Sequence, residues 1–71
     1  MVIPTRWIRA YGVDNGREIE EVMRYMLAQH PGRDIDIRAI KRYGQENGPE
    51  VRDVLNFMVR EYRRKMVRTT T

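Results

Sequence analysis

Apolar residues recur along this chain at helical spacing in two long runs. Ile19, Val22, Met23, Met26 and Leu27 fall at i, i+3, i+4, i+7 and i+8, and Val51, Val54, Leu55, Met58, Val59 and Tyr62 follow the same rule. This is the stripe of an amphipathic helix packed on one side, not the alternation of a strand. A shorter segment precedes each run. Roughly residues 4–11 place Trp7, Ile8 and Tyr11 on one side, and roughly residues 35–43 do the same with Ile37, Ile40 and Tyr43. A strand over residues 7–13 competes with the first of these, because Ile8 to Val13 partly alternates, but its match to residues 38–41 favours a helix.

That match extends well beyond four residues. Residues 6–27 align without gaps to residues 38–59 at an offset of 32, and nine of the 22 aligned positions are identical. Among them are Arg6/Arg38, Ile8/Ile40, Tyr11/Tyr43, Gly12/Gly44, Asn15/Asn47, Gly16/Gly48 and Glu18/Glu50. The shared Tyr-Gly-x-acid-Asn-Gly segment reads as the turn between a short and a long helix. Gly12 and Gly44 suit a left-handed C-terminal position, and Asn-Gly supplies the turn that follows. Pro49 fits the first helical position, and Glu18 and Glu50 lie where the helix dipole favours negative charge.

The expected fold is therefore all-α: four helices as two tandem helix-turn-helix hairpins, packed on one another with pseudo-two-fold symmetry. It forms a single duplicated domain over residues 1–66, with unit one at 3–29 and unit two at 35–62. Residues 29–34 connect the units, and residues 63–71 form a basic extension that either continues the last helix or frays. A chain of 71 residues sits near the stability margin of small domains, so a homodimer that adds apolar contact is an expectation to test.

Composition removes several classes of function. With no Cys and one His there is neither a disulfide framework nor a ligand set for zinc or iron, and no metal or cofactor is expected. Serine is absent as well. Glu18, Glu20 and Glu21 gather at a helix start, which accounts for them without acid–base chemistry, so an enzyme is not expected. No apolar run approaches the roughly 20 residues of a membrane span, and the first residues lack the apolar stretch of a signal peptide. The expected setting is intracellular, cytoplasmic or nucleoid-associated, with no membrane partner.

The formal charge of +4 is unevenly distributed. Residues 1–59 hold nine basic and nine acidic side chains, whereas residues 60–71 carry Arg60, Arg63, Arg64, Lys65 and Arg68 against Glu61 alone. Twelve of the fourteen cations are Arg, whose planar fork suits phosphate oxygens. The short segments are basic at equivalent places as well, with Arg6 and Arg9 in one and Arg38, Lys41 and Arg42 in the other. Together these ten residues are the candidate contacts for nucleic-acid phosphates, DNA or RNA, with low sequence specificity. A solvated helix end whose cations complement the dipole is the plainer reading of the same residues.

The glycine-containing turn distantly resembles a helix-hairpin-helix module over about six residues per unit, read on Gly12-Val13-Asp14 and Gly44-Gln45-Glu46. The resemblance implies backbone contact with phosphate, but an acid stands where that module has its second glycine, and a carboxylate there repels phosphate. A different class of function is a protein–protein interaction module, or a small subunit of a larger assembly. It would dock through Tyr25, Phe57 and Trp7, since Tyr25 and Phe57 lie about 120° from the centre of each apolar stripe. The plainer reading is that these aromatics close the core, with Trp7 capping one end. His30 reads as an exposed linker residue.

Overall fold

The computed structural model describes the backbone of residues 1–70 and the side chains of residues 1–66. Strand β1 (Val2–Pro4) leads into helices α1 (Thr5–Asp14) and α2 (Arg17–Gln29), and strand β2 (Asp34–Asp36) leads into α3 (Ile37–Glu46) and α4 (Pro49–Thr70). The chain is thus mostly helical, as its periodicity predicts, but it also contains a two-stranded sheet that an all-α reading omits. Residues 7–13 are helical, so the competing strand reading is set aside. Ile35, expected to begin a helix, is the central residue of β2.

β1 and β2 pair antiparallel with Ile3 opposite Ile35, Val2 opposite Asp36 and Pro4 opposite Asp34. Successive side chains in a strand point to opposite faces, so Ile3 and Ile35 turn inward together and are almost fully buried. The pairing continues into the helix starts, where the Thr5 N–H donates to Arg33 O at 2.8 Å and the Ile37 N–H to Met1 O at 3.0 Å. The Thr5 hydroxyl adds bonds to the carbonyls of Gly32 and Arg33. Asp36 caps α3 by accepting from the Arg38 N–H at 2.8 Å, which satisfies one of the donors a helix start leaves open.

Gly12 and Gly44 do not end their helices. Both lie within them and are buried, and the left-handed backbone falls instead at Gly16 and Gly48, with φ of 98° and 97°. An ideal Cβ on Gly12 would stand 3.0 Å from the Glu20 Cα, and one on Gly44 would stand 2.9 Å from the Arg52 Cα. Glycine is required there because the short and long helices of each pair touch backbone to backbone. The reversal itself is made by Asn-Gly. Asn15 Nδ2 donates to Tyr11 O at 2.7 Å and Asn47 Nδ2 to Tyr43 O at 2.8 Å, supplying partners to last-turn carbonyls. Gly16 or Gly48 then enters a φ region open chiefly to glycine. The segments 12–14 and 44–46 are therefore helical, and the likeness to a helix-hairpin-helix turn does not hold. His30 is half-buried at the end of α2 and is not an exposed linker residue.

The core joins all six elements through Ile3, Ile8, Met23, Met26, Ile35, Ile40, Leu55 and Met58. Ile19, Val22, Val51 and Val54 of the predicted stripes pack at its margin. At one end Trp7 stacks on Tyr11 with ring centroids 5.4 Å apart and meets Tyr62 edge-on at 4.9 Å, which ties α1 to α4 and gives Trp7 the capping position. Among the described residues, no helix is long and apolar enough to cross a membrane.

Candidate functional site

Close crossing at Gly44 fixes α3 against the first half of α4, and α4 then runs on past the end of its partner. Beside this pair lies an open groove of about 810 Å³. Lys41 lines it from α3, and Arg52, Arg60, Arg63 and Arg64 line it from α4. The other lining groups are uncharged: Gln45, Asn56 and the buried Val59. Among the described residues no carboxylate lines it. The cause is helical spacing, since Arg52, Asn56, Arg60 and Arg63 follow at i, i+4, i+8 and i+11 and share a face. Two carboxylates meet these cations away from the groove. Asp53 Oδ1 lies 3.5 Å from Arg52 Nε, and Glu61 Oε1 accepts from Arg64 Nη1 at 3.2 Å. Exposed pairs of this kind contribute only about 0–1 kcal/mol, so they hold their cations loosely.

Arg9, Arg24, Leu27 and Ala28, 32 positions before Lys41, Asn56, Val59 and Arg60, line a smaller groove of about 480 Å³ beside α1 and α2, together with Tyr25, whose equivalent Phe57 lies outside the larger lining. Its chemistry differs. Glu20 stands where the larger groove has Arg52, Ala28 where it has Arg60, and Glu21 is part of the lining. The positions that correspond to Arg63 and Arg64 are Pro31 and Gly32, beyond the end of α2. A third recess of about 590 Å³, at one end of the ribbon, gathers Arg6, Arg9 and Arg33 with Asp34.

The ten candidate phosphate contacts are thus dispersed. Lys41, Arg60, Arg63 and Arg64 come together in the large groove; Arg6 and Arg9 lie in the ribbon recess. Arg38 and Arg42 are exposed and line neither. Lys65 sits apart from the groove, its Nζ 5.8 Å from the centre of the Trp7 ring. The side chain of Arg68 lies outside the described residues. Sequence reasoning misses Arg52 and Arg33, because both belong to residues 1–59, where basic and acidic side chains balance. The helical spacing of Arg52 from Arg60 and Arg63 would have found it.

Tyr25 and Phe57 are 65% and 54% exposed, whereas Trp7 is half-buried in its aromatic stack. Burial, and then the negative charge of Glu61, raise the Tyr11 phenol above its ordinary pKa. The ribbon's outward positions are Val2, Pro4, Asp34 and Asp36. No protein-family model, curated protein or solved structure matches the chain.

Proposed function

We propose that the chain is a non-enzymatic nucleic-acid-binding protein whose contact surface is the cationic groove beside α3 and α4. The observation that carries this reading is five cations along one groove with no carboxylate in its lining, in a molecule whose first 59 residues are formally neutral. Clustered Lys and Arg bind a phosphodiester backbone by displacing its condensed counterions, which needs no sequence information. The expected specificity is correspondingly low.

The same reading explains the two grooves as copies of one strand-helix-helix unit related by a pseudo-two-fold axis through the Ile3–Ile35 pair. One copy presents phosphate contacts through Arg52, Arg60 and the longer α4. The other has Glu20 and Ala28 at the corresponding positions and serves the fold. A two-stranded ribbon can enter a DNA major groove, but this one presents Asp34 and Asp36 outward, and carboxylates are repelled by flanking phosphates. The ribbon therefore has a structural role, and Arg6, Arg9 and Arg33 provide a secondary patch.

Fluorescence anisotropy with labelled single-stranded and duplex oligonucleotides tests the proposal. Binding at low salt that weakens steeply at moderate salt is expected, and absence of binding at low salt removes it.

A further inference from the structure

The cationic groove and the exposed aromatic beside it point to a more specific ligand. Phe57 lies on α4 three residues before Arg60 and seven before Arg64, positions that adjoin on a helix surface, and it is 54% exposed. Its surroundings argue against docking of an apolar protein face. Asp53, Arg60, Glu61 and Arg64, at i−4, i+3, i+4 and i+7, surround the ring on the helix surface, and a protein interface core would desolvate all four charges. A flat ring that covers only the aromatic face leaves them in water.

Resting on the proposed nucleic-acid reading, we infer that the groove binds single-stranded nucleic acid, with Phe57 stacking on an unpaired base while Arg60, Arg63 and Arg64 neutralise the adjoining phosphates. Paired bases keep their faces inside the duplex, so an aromatic ring on a convex helix reaches them only in an unpaired strand. Stacking accepts any base, which agrees with a site whose charged lining is entirely cationic and so is suited to phosphate. The smaller groove repeats the arrangement weakly, with Tyr25 beside Arg24, but Glu20 and Ala28 stand where the larger groove has Arg52 and Arg60, so it has fewer cations for a phosphate strand.

The test compares a short fluorescein-labelled oligodeoxythymidine, the matching oligouridine and a duplex of the same length. Wild type is expected to bind one or both single strands about tenfold more tightly than the duplex, as base stacking on one aromatic permits; the relative strength of the two single strands identifies DNA or RNA as the preferred source. Phe57→Ala is expected to remove most of that preference and leave duplex binding unchanged. Phe57→Leu, which keeps an apolar side chain without a π face, should behave like Phe57→Ala, and Phe57→Trp should restore binding. Circular dichroism checks that each variant keeps its helices. Equal or tighter duplex binding, or a Phe57→Leu variant that binds like wild type, overturns the inference while the broader reading stands. Failure of all three probes to bind at low salt overturns both.

Discussion

Ile3 and Ile35 face each other across the centre of the β1–β2 ribbon, and they stand 32 residues apart, the same offset at which residues 6–27 align with residues 38–59. Both turn their side chains into the core. The ribbon therefore joins the two halves of the chain by a contact that is apolar inside and hydrogen-bonded along its edge. Truncating either residue opens a cavity where the halves meet. Ile35→Ala is expected to cost about 2–5 kcal/mol of stability, read from the urea midpoint. A loss no larger than that of a surface substitution would show that the ribbon does not join the halves.

Close approach of the paired helices leads to a second expectation. Gly44→Ala places a methyl group 2.9 Å from the Arg52 Cα, and backbone cannot rotate away as a side chain can. The helix pair must separate, at a cost of about 1–3 kcal/mol. This reverses the usual gain from Gly to Ala within a helix. Gly48→Ala meets no neighbour but must adopt a φ of 97°, so it too is destabilising, through backbone strain alone. Thermal unfolding of both variants, followed by circular dichroism, decides the matter; a stabilised Gly44→Ala would contradict the crossing geometry.

Tyr11 gives the fold an alkaline sensitivity. Burial and the neighbouring Glu61 favour its neutral phenol in the folded state. Below the ordinary phenol value of about 10, both folded and unfolded chains hold the proton and this group contributes no slope. As pH rises through that value the unfolded chain deprotonates first, so stability falls until the folded-state pKa is passed. Urea midpoints measured through this range should decline more for wild type than for Tyr11→Phe. Parallel curves would assign the decline to other groups.

Much of the fold is legible in local spacing, and what is not has identifiable causes. The apolar stripes of α2 and α4 repeat over several turns, so their periodicity is clear. The strands are three residues each, and one contains Pro4; Asp34-Ile35-Asp36 offers a single apolar position. Their existence depends on pairing between distant segments, which no local pattern carries. The role of Gly12 and Gly44 is not legible locally, because a glycine near a helix end serves equally for a left-handed turn or a close crossing, and only the partner helix distinguishes them. The site followed the same rule. Arg60, Arg63 and Arg64 stand out by charge and Arg52 joins them by its spacing along α4, whereas Lys41 joins them only once α3 and α4 are placed side by side.

The account stands on the groove beside α3 and α4, and the dependence of oligonucleotide affinity on salt tests it most directly. For wild type the logarithm of the binding constant should fall linearly with the logarithm of salt concentration. The double variant Arg60→Ala/Arg63→Ala should bind more weakly at low salt with a slope shallower by about 0.7–0.9 for each cation removed, while Arg38→Ala/Arg42→Ala, outside the groove, changes little. An unchanged slope for the groove variant, or an equal loss from the Arg38 and Arg42 pair, would contradict the account.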